Sequence, residues 1–170
     1  MHQYYALVDE DRTSRRLKLV HPDLLDTPFI RMPPAQVWQV QDAAEEDYTD
    51  WLPVSREQPL VSDTMKRILE LYNVHIRWKQ IHLLSPDTNH QELYWIAHVP
   101  AVEGTSIHSE FHPHDQTLKR LVLDAAQIKA HHYFRLGGVR ETYFIVSLEA
   151  AESLLRRSLT GFRLHKLEFM

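Results

Sequence analysis

One stretch limits the possible folds more than any other, the run His131 to Phe169, HHYFRLGGVRETYFIVSLEAAESLLRRSLTGFRLHKLEF. It reads as strand, glycine turn, strand, helix, strand. Tyr133-Phe134 and Thr142 to Val146 are aromatic and β-branched runs that suit a pleated, half-buried surface. Gly137-Gly138 between them supplies the positive φ angles that a reversal needs. Ser147 stands where an N-cap belongs, its hydroxyl placed to accept from the unpaired N–H groups of a first helical turn. Leu148, Ala151, Leu154 and Leu155 follow at helical spacing and predict one buried face. Arg156 and Arg157 fall in the last turn, where the helix dipole favours cations. Gly161 is expected to close the helix and Phe162 to open a final strand.

The rest of the chain is more broken. Gln3 to Val8 predicts an opening strand, Asp9 to Arg12 an exposed turn, and Leu17 to Val20 a second short strand. Prolines 22, 28, 33 and 34 predict an extended, irregular crossing from His21 to Pro34. Val37 to Val40 reads as a short strand. Ser62 or Asp63 caps a helix whose Met65, Ile68, Leu69 and Tyr72 recur at core spacing, and Asn73 ends it. Val74 to Trp78 alternates strictly. The apolar phase then slips to Ile81 and Leu83, which predicts a bulge near Lys79-Gln80. The same slip recurs between Leu164 and Leu167. Ser85 to Asn89 is a turn, and Leu93 to Val99, apolar on both faces, predicts a central strand ended by Pro100. Leu118 to Ile128 reads as strand and then loop.

These segments predict an α+β fold: a mainly antiparallel, strongly twisted sheet of about six or seven strands, with helices around residues 63–72 and 148–158 packed on it. The length fits a single domain over residues 1–170, of which 1–58 is the more irregular part and 59–169 the regular core. The chain has no cysteine, which removes disulfides, thiolate nucleophiles and Cys-based zinc sites. No signal-like leader and no span of bilayer length is visible, so the expected setting is cytoplasmic, away from membranes.

Charge is unevenly distributed. Residues 1–115 hold 18 acidic and 10 Lys/Arg side chains, a balance of −8, whereas residues 116–170 hold 5 and 9, a balance of +4. No basic run interleaves with aromatics, so no nucleic-acid partner is expected. The acid is densest at Asp42, Glu45, Glu46, Asp47 and Asp50, and from Met32 to Ser55 there is no Lys or Arg. Together with Tyr48, Trp51 and Trp38 as aromatic anchors, this block is the candidate surface for a basic protein partner.

Catalytic signatures are sparse. Twelve histidines invite a metal, and the tightest group is His108, His112 and His114 with Asp115. Two apart on a strand, His112 and His114 would share a face. The group is no HExxH and matches no zinc-finger spacing, while Pro113 marks a loop. A metal-dependent enzyme built on it is therefore the alternative to a binding protein, and no metal or other cofactor is expected. No Gly-x-Ser-x-Gly elbow is present, and four glycines make no phosphate-cradling loop.

Several segments resemble one family when taken in order. They are Pro59-Leu60-Val61-Ser62-Asp63 before a helix, Tyr94-Trp95-Ile96 leading to Val102-Glu103, Phe134-Arg135-Leu136, Ile145-Val146-Ser147 before a second helix, and Leu159-Thr160-Gly161-Phe162. The pattern is similar to that of a bacterial immunity-protein family, the eleventh named immunity class of polymorphic toxin systems, formerly a domain of unknown function. The likeness runs from about Pro59 to Phe169, with a weaker match at Tyr4-Tyr5. Its residues are packing and capping residues, not an active-site signature. What it implies is a non-enzymatic protein that binds a cognate toxin and silences it; a non-inhibitory adaptor domain is a further alternative.

Overall fold

Two strand-to-helix junctions use one device. In each, a strand ending Val-Ser runs into a helix, and the serine hydroxyl accepts from the backbone N–H three residues on: Met65 to Ser62 at 3.2 Å, and Ala150 to Ser147 at 3.3 Å. The computed structural model describes residues 2–10, 17–55 and 57–170, so Asp11 and Arg12 of the expected first turn lie outside the described residues. In chain order it contains β1 (Tyr4–Asp9), β2 (Lys18–Leu19), β3 (Ala35–Gln41), β4 (Trp51–Pro53), β5 (Pro59–Ser62) and helix α1 (Asp63–Tyr72). Next come β6 (Arg77–Ser85), β7 (His90–His98), β8 (Ala101–Glu103), β9 (Glu110–Phe111), β10 (Leu118–Arg120), β11 (Val122–Leu123) and the short helix α2 (Ala125–Ile128). Then follow β12 (Tyr133–Gly137), β13 (Phe144–Ser147), helix α3 (Leu148–Arg156), β14 (Phe162–Lys166) and β15 (Glu168–Phe169).

The fold is α+β. The expectation of one sheet is corrected: there are two main sheets, of orders β2-β3-β6-β7-β5-β4 and β14-β1-β13-β12-β8, each mostly antiparallel but mixed through one parallel pair. The parallel pairs are β3 with β6 and β8 with β12, each joined through a long connection that carries a helix, as parallel neighbours require. A further parallel pair, β11 with β15, and an antiparallel ribbon, β9 with β10, lie outside the two sheets.

Strand alternation distributes side chains among three cores. Along β6 and β7, Ile81, Leu83, Tyr94 and Ile96 enter a core with Trp38, Val40, Leu52 and Leu60, whereas Trp78, Trp95 and Ala97 turn to the opposite face, towards α1. That second core is shared with the other sheet, through Leu7, Tyr133, Phe144 and Val146, and with Ala150, Ala151 and Leu154 of α3. The far face of the five-stranded sheet, Tyr4, Ala6, Phe134, Leu136 and Ile145, closes on Leu123, Ile128 and Leu167. The phase slip after Trp78 follows from this arrangement. The β6–β7 ladder runs in unbroken register from Arg77↔His98 to Ser85↔His90, so the expected bulge is absent, and the slip marks a change of covered face. The slip near Leu167 is a real break, where β14 ends and β15 leaves to pair with β11.

Several local expectations need correction. The His21–Pro34 crossing contains two 3-10 turns, Pro22–Asp26 and Phe29–Arg31, and the second is held by the Lys79 ammonium, which donates to the carbonyls of Phe29 and Met32. Val74 and His75 are exposed turn residues, because Asn73 accepts from the His75 N–H with its side chain and stops α1; the strand begins only at Arg77. In the Leu118–Ile128 segment, Asp124 caps α2 by accepting from the Ala126 N–H, giving a helix where a loop was expected. Helix α3 ends on Ser158 in the left-handed region (φ 52°) and not on Gly161. Gly161 (φ 95°) is needed for a different reason: a Cβ there would run into the Trp51 carbonyl oxygen and the Thr49 side chain. Among the described residues no helix is long and apolar enough to cross a membrane.

Leu155 also leaves the predicted buried face, since it is 60% exposed while Leu154 is fully buried. Truncation separates the two. In urea unfolding, Leu154→Ala should lose about 2–5 kcal/mol and Leu155→Ala less than about 0.5 kcal/mol; equal losses would disprove this orientation of α3.

Candidate functional site

The acidic block begins where β3 ends. Asp42 has a left-handed backbone (φ 49°), which turns the chain out of the sheet. Glu45–Asp47 then form a 3-10 turn, closed by the Asp47 N–H on the Ala44 carbonyl (3.0 Å) and by the Asp47 carboxylate, which accepts from the Ala44 N–H (2.9 Å). The turn therefore has a fixed backbone and holds the Asp47 carboxylate in place. Glu45, Glu46 and Asp42 are exposed, and none of Asp42, Glu45, Glu46 and Asp47 forms an ion pair with a described residue.

Beside the turn lies the Ser85–His90 reversal between β6 and β7. The Tyr48 ring meets the His90 ring edge-on at 5.3 Å, and His90 contacts Glu92 at 2.9 Å. Ala43, Glu45, Tyr48, Ser85, Thr88 and His90 line a cleft of about 360 Å³. Burial first, then the carboxylates of Glu92 and Asp47, push the Tyr48 hydroxyl above its ordinary value, and that hydroxyl is buried without a hydrogen-bond partner among the described residues. Residues 80–118 contain no Lys or Arg, so both segments that build the cleft lack fixed cations. His90 and Glu92 join the site through space, and this second cation-free stretch is the sequence signal that points to them.

Two residues of the block serve the fold instead. The Asp50 carboxylate accepts from the Ser62 hydroxyl (2.6 Å), from the Thr160 N–H (2.9 Å) and from the Thr160 hydroxyl (3.2 Å). Trp51 is 2% exposed, donates its indole N–H to Asp9 (3.0 Å) and packs edge-on against Phe144 (5.5 Å). Trp38 is fully buried. The expectation that Trp51 and Trp38 anchor a partner is corrected by their burial, because neither ring reaches the surface. Of the expected aromatics, only Tyr48 remains beside the exposed carboxylates.

A second surface lies on the six-stranded sheet beyond the cover of α1. By register, Val37 and Gln39 of β3 share a face with Gln80, His82 and Leu84 of β6 and with Gln91 and Leu93 of β7. Val37 is 56% exposed, and the Gln91 amide bonds His82 Nδ1 at 2.9 Å. This face carries no charged side chain at those positions.

The histidine group flanks β9: His108 lies in the turn before it, and His112 and His114 in the segment after it. The His112 and His114 rings stand 5.7 Å apart, His114 contacts Asp115 at 3.3 Å, and the Asp115 carboxylate is tied to the N–H and hydroxyl of Thr117. Those bonds hold Asp115 below the usual carboxylate range, the Thr117 N–H contributing most. Among the described residues no group of three or more His, Asp or Glu side chains is arranged to hold a metal ion. Ser147, His132 and Glu149 also meet, yet His132 uses the same Nδ1 towards Ser147 (2.9 Å) and Glu149 (3.9 Å). An imidazole that meets both groups through one nitrogen cannot relay a proton between them, and Ser147 is buried in its capping role.

The block thus divides into Asp50, which joins distant parts of the fold, and the carboxylates of the local turn, which stability measurements can separate. Asp50→Ala should lose about 2–4 kcal/mol, since it leaves Ser62 and Thr160 without their shared acceptor. Replacing Glu45, Glu46 and Asp47 together with Ala should lose only about 0.5–1.5 kcal/mol, the share of the bond between the Asp47 carboxylate and the Ala44 N–H. The reverse ranking in urea unfolding would overturn the division.

No protein-family model matches the chain, and no curated protein matches it either, so its function has to be read from these surfaces.

Proposed function

We propose that this is an immunity protein that binds a cognate bacterial toxin and neutralises it by occupying a basic surface on that toxin. The class rests on the resemblance carried by Pro59 to Phe169. The choice of surface rests on one observation: Asp42, Glu45, Glu46 and Asp47 stand on a hydrogen-bonded turn at the rim of a cleft, with no ion pair to a described residue.

The physics of such a surface is favourable for blocking. Carboxylates that are already unpaired need not break an internal ion pair to meet a cation, and a fixed turn loses little conformational freedom on binding. Several like charges at one end of the molecule steer a basic partner before contact, which raises association rates about 10–1,000-fold at low salt. Beside them, the half-buried Tyr48 and the exposed His90 offer edge-on ring area, and the cleft is large enough to take a guanidinium or ammonium side chain from the partner. A toxin that itself binds a polyanion presents the matching cationic groove. In that groove the carboxylates would occupy the positions of substrate phosphates.

On this reading a toxin domain is encoded beside this protein's gene, and the test uses that domain as the partner. The Glu45/Glu46/Asp47 triple alanine variant should associate with it at least about tenfold more slowly at low salt, with a smaller difference at 0.5 M salt, where charges are screened. Protection of cells should fall in step. Wild-type association rates for the triple variant at low salt would move the contact to the uncharged face around Val37 and Leu84. Absence of any binding to the neighbouring toxin would refute the immunity reading itself.

A further inference from the structure

At the opposite end of β6 and β7 the chemistry is reversed. There the Phe29–Arg31 turn, the end of β7 and the β12–β13 pair enclose a cavity of about 270 Å³. Its lining includes Thr27, Phe29, His98, Arg135, Thr142 and Phe144. Register places Arg135 opposite Phe144, and alternation along β12 puts it on the Tyr133 side, facing the core between the sheets. Arg135 is half-buried, yet no described residue forms an ion pair with it.

The surroundings reinforce the positive charge. The Arg77 guanidinium lies 5.8 Å and the Lys79 ammonium 4.5 Å from the Phe29 ring centre, and the His98 ring lies 5.7 Å from it. Burial first, then the charges of Arg77 and Arg135, hold the His98 imidazole below its ordinary value. Lys79 is committed to the carbonyls of Phe29 and Met32, whereas the Arg135 fork on the cavity wall has no ion pair with a described residue. Thr27 and Thr142 add hydroxyls, and Phe29 and Phe144 add apolar wall. Glu57, exposed at the same cavity, disfavours a doubly charged ligand.

We propose that this cavity binds a small monocarboxylate with an apolar body, its carboxylate held bidentately by Arg135 and its body against Phe29 and Phe144. A planar guanidinium matches a carboxylate edge with two parallel hydrogen bonds, and partial burial strengthens both. The volume suits a ligand of roughly ten non-hydrogen atoms, for which a Kd on the order of 0.1–1 mM is reasonable. The site is independent of the acidic surface at the other end of the strands and stands whether or not the toxin reading does.

Titration of the isotopically labelled full chain with phenylacetate, 4-methylpentanoate and inorganic phosphate tests the assignment. Either carboxylate should give saturable amide shifts centred on His98, Arg135 and Thr142, while phosphate should bind at least about tenfold more weakly. Arg135→Met should abolish the shifts, and Arg135→Lys, which keeps the charge but loses the fork, should weaken binding about tenfold. The wild-type shift map decides the matter even if a variant fails to fold. No saturable shift up to about 20 mM, shifts centred elsewhere, or phosphate binding as tightly as the carboxylates would each overturn the proposal.

Discussion

The architecture depends on the Asp50 carboxylate. It joins the N-cap serine of α1 to Thr160, which lies 110 residues beyond Asp50, and so ties the six-stranded sheet to the segment that leads into β14 of the five-stranded one. The backbone repeats the connection: the Trp51 N–H donates to the Thr160 carbonyl (3.0 Å) and the Glu10 N–H to the Gly161 carbonyl (3.2 Å). The approach is close enough that no side chain fits at Gly161. With the seam fixed, Trp51 meets Phe144 and Tyr133 stacks near the same ring, so the sheets share one core instead of forming two separate ones. A carboxylate that satisfies two hydroxyls and an N–H is well suited to such a joint, because every partner is a donor and the charge stays near the surface.

Much of this was legible in the sequence, and what was legible was local. Both serine-capped helices, the glycine turn after β12 and the central position of β7 follow from side-chain chemistry within a few residues. What could not be read was which face each strand covers. The jump from Trp78 to Ile81 looks like a bulge to any argument that allows a strand one buried face; here both faces are buried, against different cores, and the ladder has no irregularity. The division into two mixed sheets was hidden for a related reason. A parallel pair such as β3 with β6 is made by residues far apart in sequence, and no nearby turn residue signals it.

The acidic block shows the same limit at the level of function. Composition treats Asp42 to Asp50 as one run of like charge, yet Glu45 and Glu46 face water while Asp50 is a joint of the fold. Nothing within the run distinguishes them; the difference lies in Thr160 and Ser62. Trp51 likewise gives no local sign that it is a core residue, since the partners that bury it, Asp9 and Phe144, come from two other strands. His90 and Glu92 enter the site by the converse route, brought to Tyr48 by the β6–β7 reversal.

The two surfaces proposed for binding stand at opposite ends of the same pair of strands. β6 runs nine residues from Arg77 to Ser85, about 26 Å at the usual rise of ~3.3 Å per residue. Carboxylates crowd the Ser85 end, and Arg77, Lys79 and Arg135 gather towards the other. Separation over about three Debye lengths at physiological salt leaves little direct coupling between the two sets of charges. The unbroken ladder between them is also an unpromising conduit, because it offers no second packing arrangement to which either ligand can shift it. The strands therefore act as a rigid spacer. Substitutions at the two ends should combine additively, and charge at either end can change without altering the other, the freedom a surface matched to a particular partner requires.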